Sequence, residues 1–330
     1  MLRKLNKAKL HYKLHAIINQ TYKRMKIVLF GNLYNDKPEK YENQFYAICQ
    51  KIKNHCIEIH LPTEFFNTLS AGLREKIEPF IHLYDVSVPL VDLAFSIGGD
   101  GTFLRTAAEI VHRNIPILGI NTGRLGFLAD IKFEDLDETL NEIFNDNYRI
   151  EKRMLLETNA ITPSARGSLV NKNFANYSLN EVAVLKQDTS SMLTIHAYID
   201  DEYLTSYQAD GLVIATPTGS TAYSLSIGGP IMVPTAPNII LTAIAPHSLN
   251  ARPLVVDSNS KIRLQVESRS DNFLVSLDGV SQTLSADTVL EISKADYSQP
   301  VVKREGHTFF ETLRNKLMWG ADIRSSELMK

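Results

Sequence analysis

Cysteine is scarce in this chain, with only Cys49 and Cys56 in 330 residues. Two thiols close together in sequence build no disulfide framework, and their spacing is not that of a metal site. A reduced, cytoplasmic protein is the simplest account. Long apolar runs are also missing. The longest, such as "NIILTAIAP" at 238–246, fall far short of the ~20 residues a membrane-spanning helix needs, so no membrane association is expected. No internal repeat or low-complexity linker appears, which leaves one large domain or two of ordinary size. Net charge is small, −2, but unevenly placed. The first 24 residues carry seven Lys or Arg and no acidic residue, and the remainder holds 28 basic residues against 37 acidic ones. A body at −9 argues against nucleic-acid binding. The basic extension 1–24 has the charge of a nucleic-acid arm, a membrane arm or a mitochondrial presequence. It contains no serine and no continuous apolar core, and translation is expected to begin at Met25, where "MKIVLFG" opens the first strand.

What is present from Met25 onward is an alternation of strand and helix. "KIVLFG" (26–31), "CIEIHLP" (56–62), "VDLAFSI" (91–97) and "IPILGIN" (115–121) read as strands. Between and after them, 37–54, 63–77 and 133–146 read as amphipathic helices. A further helix follows residue 100, with Leu104, Ala107, Ala108 and Val111 spaced as one face. This rhythm predicts an α/β domain over 25–150 with a parallel, Rossmann-like sheet. Beyond 150 the rhythm changes. "MLLETNAI", "NEVAVLK", "LTIHAYID", "DGLVIATP", "NIILTAIAP", "KIRLQVES", "FLVSLDG" and "TVLEIS" follow one another without long helices. They predict an all-β, sandwich-like domain over 151–330. "HTFFETLRNKLMWG" (307–320) reads as a terminal helix stopped by Gly320 and packing back on the first domain.

Five stretches carry chemistry. In "FSIGGDGTFLRTA" (95–107), Gly98, Gly99 and Gly101 bracket Asp100, with Thr102 next. The stretch lies between a buried strand and a helix, where open α/β sheets bind ligands. It is neither a Walker A loop nor a G-x-G-x-x-G fingerprint. Bare glycine N–H groups suit phosphate, whereas a carboxylate suits a proton-taking role or a Mg²⁺ ion. The alternative is a turn whose glycines supply positive φ and whose aspartate caps the helix. "NTGRLGFLAD" (121–130) is a second loop after a strand, a turn by itself or a flexible ligand loop. Asn180-Glu181 opens a strand and could read a ribose hydroxyl pair, or be a solvated strand start. "QADGLVIATPTGSTAYSLSIGGPI" (208–231) packs hydroxyls and glycines behind one strand, suiting a polar ligand with sugar and amide groups. No G-x-S-x-G elbow accompanies its serines. "APHSLNARPL" (245–254) interrupts β-type sequence, and "SLDGV" (276–280) reads as a hairpin turn.

Taken in order, "GGDGT", "NTGRLGFL", "NE", "DGLVIATPTGSTAYSLSIGGPI", "PHSLNARPL", the late "DG" and "LRNKLMWG" resemble the NAD kinase family. "GGDGT" alone is shared with lipid kinases and phosphofructokinases, whereas the long hydroxyl-and-glycine block is specific. The resemblance implies transfer of the terminal phosphate of ATP, with Mg²⁺ or another divalent metal, to the 2′-hydroxyl of the adenosine ribose of NAD⁺. It implies Asp100 as general base, with Gly98, Gly99, Gly101 and Thr102 cradling phosphate. It implies that Asn180 and Glu181 hold the adenosine half, and that Thr221, Ala222 and Tyr223, with Ser224 and Leu225 beside them, line its pocket. Asp210 and Ser226 would meet the nicotinamide end, Arg105 a phosphate, and Ala245 would offer a backbone contact. Asp100 and Gly101 would also touch NAD, no metal ligand set is indicated, and a homodimer or homotetramer is implied. One departure stands out: many relatives carry Arg before the second "DG", where this chain has Gln208-Ala209. A lipid kinase and a non-catalytic dinucleotide sensor are the competing readings. The first would need an apolar pocket where 216–229 supplies hydroxyls, and the second would not need the carboxylate at position 100.

Overall fold

The computed structural model describes residues 25–32, 38–53, 55–123, 126–162, 169–170, 176–188 and 192–319. The basic extension, Arg124-Leu125 and Gly320 lie outside the described residues. The chain forms two compact units. One holds residues through Thr102, Leu118–Arg149 and Val302–His307; the other holds Phe103–Ile117, Ile150–Val301 and Thr308 onward.

In the first unit the strands are β1 (Met25–Gly31), β2 (Cys56–Pro62), β3 (His82–Tyr84), β4 (Leu93–Gly98), β5 (Ile117–Asn121) and the short β6 (Ile131–Lys132). The order β5-β4-β1-β2-β3 is joined by parallel β1–β2, β1–β4 and β2–β3 pairs, with β6 parallel to β5. β4 and β5 are buried at every residue, so their apolar runs do not alternate, as expected where both faces of a parallel sheet are covered. Helix α1 (Pro38–Ile52) buries Tyr41, Phe45, Ile48, Cys49 and Ile52, one stripe at helical spacing. The expected helix over 63–77 is two helices, α2 (Thr63–Thr68) and α3 (Ala71–Ile77). Ser70 stops one and starts the other: it is extended, caps Leu73 N–H, and is itself held by the Glu42 carboxylate. Helix α4 (Asp100–Glu109) opens on the glycine loop, and α5 (Leu136–Phe144) follows a 3₁₀ turn at 133–135. Burial on and after α4 falls on Phe103, Thr106, Ala107 and Ile110, so the face read from the sequence is rotated: Ala108 is exposed.

The second unit runs β7 (Tyr148–Thr162), β8 (Leu169–Val170), β9 (Tyr177–Ser178), β10 (Glu181–Leu185), β11 (Leu193–Ile199), β12 (Glu202–Ala209) and β13 (Gly211–Ala215). The short helix α6 (Tyr223–Ser226) precedes β14 (Asn238–Ile244), β15 (Leu254–Asp257), β16 (Ile262–Glu267), β17 (Asn272–Leu277), β18 (Val280–Ser285), β19 (Val289–Arg304) and helix α7 (Phe309–Leu317). Antiparallel strands form one layer in the order β15-β14-β13-β10-β17-β18, and another runs β12-β11-β16-β19. Alternate residues of both enter one core, among them Val182, Val184, Leu212 and Ile214 from the first and Ile195, Ala197, Leu290 and Ile292 from the second. This is a sandwich. The C-terminal helix belongs to this unit. The helix expected to return to the first unit is thus grouped with the second, and the segment that belongs to the first is Val302–His307, whose Val302 sits in that unit's core. Thr308 caps the helix by accepting Glu311 N–H, and Met318 ends it in the left-handed region at φ 50°.

Cys49 is buried in the first core, and burial pushes its thiol well above the ordinary range. Cys56 is pushed up to about 12 by burial and by the charge of Asp92. Both are free thiols that act as packing groups. Among the described residues, no helix is long and apolar enough to cross a membrane. Leu118→Ala, at a fully buried position of the first core, should destabilise the protein by about 2–5 kcal/mol. A lower urea midpoint would register it.

Candidate active site

In the first unit the glycine loop and the loop after β5 are one structure. Asp100 is the first residue of α4, and its carboxylate reaches across to the loop after β5. It accepts from three successive backbone N–H groups: Phe127 at 2.9 Å, Leu128 at 3.0 Å and Ala129 at 3.0 Å. Gly126 must be glycine for this, since a Cβ there would stand 1.8 Å from Asp100 Oδ1. Asn121 ties the loop's two ends by accepting from Gly123 N–H at 2.8 Å and donating to Ala129 O at 3.3 Å. The β4 and β5 ends are joined by Thr122 N–H donating to Gly98 O at 3.3 Å. The glycines are not there for positive φ, which among described glycines occurs only at Gly228, Gly279 and Gly306. Gly98 is required by contact, a Cβ falling 2.3 Å from Thr102 Oγ1, whereas nothing lies within 4 Å of a Cβ at Gly99 or Gly101. Backbone is therefore open to an approaching group at those two positions. Arg105 is exposed on the same helix.

In the second unit Asp278 repeats the device. Its carboxylate accepts from Leu179 N–H at 2.6 Å, Asn180 N–H at 2.8 Å and Glu181 N–H at 3.0 Å. The hairpin expected at "SLDGV" is there: Leu277 pairs with Val280, and Asp278 and Gly279 take φ 49° and 89°. Two positive values between antiparallel strands make a type I′ turn. Its aspartate also holds the Asn180-Glu181 dipeptide, a role the sequence signal for a turn concealed. On the other side, Thr216 N–H donates to Asn180 O at 2.8 Å and Thr216 Oγ1 to Leu179 O at 2.6 Å. Gly219 packs so close to Asn180 O that a Cβ would fall 2.1 Å from it. Burial raises the Glu181 carboxyl to about 7, helped by the Asp278 charge and opposed by the Tyr223 backbone N–H. Burial raises Asp278 to about 6 against its three N–H donors. One Glu181 carboxylate oxygen and the Ser224 hydroxyl are buried with no hydrogen-bond partner.

Asn180, Glu181, Thr216–Thr221 and Tyr223 thus gather at one end of β13. Thr221 Oγ1 donates to Thr218 O at 3.3 Å, and Tyr223 keeps 36% of its surface exposed. Ala222 joins the 3₁₀ turn to α6. Ser224 is fully buried, Leu225 lines an apolar groove with Phe309, Phe310 and Leu313, and Ser226 is exposed. Asp210 and Ala245 lie at the opposite end of β13, about 20 Å from Thr216 by strand rise. Asp210 N–H donates to Ile244 O at 3.0 Å, and its carboxylate meets Lys186 Nζ at 2.6 Å, a partner not anticipated from sequence. Ala245 is held at φ 44°, in the left-handed region that a non-glycine residue rarely adopts. Arg153 was also missed: buried on β7, it donates to Thr218 Oγ1 at 3.3 Å and pairs with Glu151 at 2.6 Å. A lone arginine before the apolar run "MLLETNAI" was the available signal. Among the described residues, no group of three or more His, Cys, Asp or Glu is placed to hold a metal ion.

An α/β unit with Gly-Gly-Asp-Gly-Thr closing a parallel strand, in a chain with an antiparallel sandwich unit, defines a phosphotransferase of the GGDGT-bearing kinases. Residues 79–148 match the ATP-NAD kinase N-terminal domain and 179–304 the ATP-NAD kinase C-terminal domain. The NAD kinase of Bacteroides fragilis is 48% identical over 300 residues, covering 91% of this chain and 100% of that protein. The NAD kinase of Porphyromonas gingivalis is 42% identical over 303 residues, covering 91% and 99%. Among solved structures, yeast NADH kinase complexed with NADH has a TM-score of 0.80 at 24% identity, covering 92% of this chain and 90% of that one. An Archaeoglobus fulgidus NAD kinase in complex with ATP has a TM-score of 0.67 at 24% identity, covering 89% and 99%. The chain belongs to the ATP-NAD kinase family.

Two outcomes follow from the geometry. Gly126→Ala drives a methyl group into the Asp100 carboxylate, and a displacement of that size should lower turnover on the order of 10–100-fold. Steady-state rates with the folded variant check it. Glu181 binds its proton more tightly folded than unfolded, so the unliganded protein loses stability as pH rises from about 4.5 through about 7. Glu181→Gln removes that loss, worth up to about 3 kcal/mol. Its thermal midpoint should exceed the wild type's by a few degrees at pH 8 and match it near pH 4.

Proposed function

We propose that this chain transfers the terminal phosphate of ATP to the 2′-hydroxyl of the adenosine ribose of NAD⁺, giving NADP⁺ and ADP, with Asp100 as general base. Membership in the ATP-NAD kinase family supports the overall reaction. The observation that carries the assignment of the base is the carboxylate itself, aimed and held by three N–H groups. A ribose hydroxyl is a poor nucleophile at neutral pH, and a carboxylate beside it accepts its proton as the bond to phosphorus forms. The N–H donors orient Asp100 without neutralising it. Gly98, Gly99, Gly101 and Thr102 offer backbone to the phosphates at the start of α4, where the helix dipole favours anions. Arg105, one turn on, adds a positive charge.

Asn180 and Glu181 hold the adenosine half, their backbone set by Asp278 and Thr216. The unpartnered Glu181 oxygen accepts a ligand hydroxyl, and its ionisation near neutrality is favoured when that donor arrives. Thr221, Ala222 and Tyr223 line the adenosine pocket, with Ser224 and Leu225 behind them. Asp210, Ser226 and Ala245 meet the nicotinamide end. Phosphoryl transfer is mostly positioning and charge neutralisation. Mg²⁺ or another divalent cation bound with ATP would supply the neutralisation, in keeping with magnesium's reliance on substrate oxygens. A homodimer or homotetramer working in the reduced cytoplasm completes the reading.

Purified protein with ATP, Mg²⁺ and NAD⁺ should make NADP⁺, with NADH and a lipid acceptor run alongside. Asp100→Asn should abolish turnover while leaving the NAD⁺ dissociation constant within about threefold of wild type, since one hydrogen bond to the ribose is at stake. Wild-type turnover by that variant would sink the base assignment, and absence of NADP⁺ from the wild type would sink the reaction.

A further inference from the structure

The loop that holds Asp100 ends at Asp130, and Asp130 carries a charge that stability alone does not explain. Its side chain is 5% exposed and accepts from Lys303 Nζ at 2.5 Å, while the Lys303 side chain is 6% exposed. His307 Nδ1 stands 3.5 Å from the same carboxylate oxygen. Burial pushes the Asp130 carboxyl up, but the charge and hydrogen bonds of Lys303 and His307 outweigh it and hold it down at about 2. Such a pair returns little net stability, because desolvating two ions consumes most of their attraction. What it does supply is a fixed position for the main chain at residue 130. The preceding residue, Ala129, contributes one of the three N–H groups on Asp100, and Phe127 and Leu128 contribute the others. Asn121 fixes the same loop from its opposite end.

The Lys303 side of the pair is itself anchored within the first unit. Arg304 forms a two-point pair with Glu142 at 2.8 and 2.9 Å and reaches Glu138 at 2.9 Å. Arg149 donates to His307 O at 3.0 Å. A rigid strand end therefore grips one aspartate, and the backbone next to that aspartate grips the other.

We propose that Lys303, acting through Asp130, is a positioning residue for turnover: it pins residues 127–129 so that their N–H groups keep the Asp100 carboxylate aimed. The proposal rests on Asp100 being the base. It accounts for a buried ion pair that touches no reacting group. It also accounts for the path of the chain, which carries Val302–His307 into the first unit before the C-terminal helix.

The test uses the full chain with Lys303→Met and Asp130→Asn combined, so that no buried charge is left unpaired. His307→Gln serves as a milder second variant. The double variant should keep its KM for NAD⁺ within about twofold while kcat falls at least about tenfold, the scale expected of a misplaced catalytic group. Amide exchange of peptides covering 126–130 should accelerate, while peptides from the second unit's core stay protected. His307→Gln should shift both readings the same way by about two- to threefold, on the scale of one weakened charge contact. It decides the matter if the double variant does not fold. An unchanged kcat, with or without faster exchange at 126–130, overturns the proposal. A loss of protection spread over the whole chain with a lowered thermal midpoint also overturns it, since that is a stability effect. Asp100→Asn is assayed in parallel. Wild-type turnover by that variant removes the base reading itself, whatever the Lys303 variants do.

Discussion

An aspartate that collects three successive backbone N–H groups is the interaction on which the candidate residues of each unit depend. Three consecutive amides turned toward one point cannot all be met by a strand ladder, and left alone they would be unsatisfied donors. A carboxylate answers all three with charge-assisted hydrogen bonds, stronger than neutral ones. Asp100 does this for 127–129, and Asp278 does it for 179–181. Each aspartate stands beside a glycine in sequence, and each reaches its three donors from a different part of the chain. The irregular backbone at the site is thereby as well determined as the sheets that carry it.

Such an arrangement has an energetic consequence. Asp278 and Glu181 are close, largely buried and both raised toward neutrality by burial. Glu181 keeps an unpartnered oxygen, Ser224 a buried hydroxyl without an acceptor or donor, and Ala245 a left-handed backbone. Each feature costs stability in the protein without ligand. Together they leave polar groups in place for a ligand to satisfy. Preorganisation of this kind lowers the reorganisation needed when the ligand arrives.

Much of the architecture was legible from periodicity. "LAFSI" and "LVIATP" are unbroken apolar runs and "LTIHAYI" alternates, so these strands could be assigned directly. The misses have physical causes. β12 was hidden because its hairpin turns on Asp200-Asp201, both at positive φ, without the glycine that announces such turns. Helix 63–77 was read as continuous because Ser70 is a cap only when Glu42, far upstream, holds it. The α4 face was rotated because Ala108 is apolar enough to pass for a core residue, while Thr106 is buried despite its hydroxyl.

By itself the sequence determined the two unit types, the position of the glycine loop at a strand end, the hairpin at 276–280 and the family. These depend on spacing and residue type within short windows, where local geometry leaves few choices. Only the tertiary structure decided that the loop at 121–130 serves the aspartate of the loop at 98–102, that Asp278 serves residues 179–181, and that Lys303 meets Asp130. Those pairings cross 27 to 173 positions of sequence. Hydrogen bonds and buried charges choose partners by direction and distance in space, and no pattern along the chain encodes either.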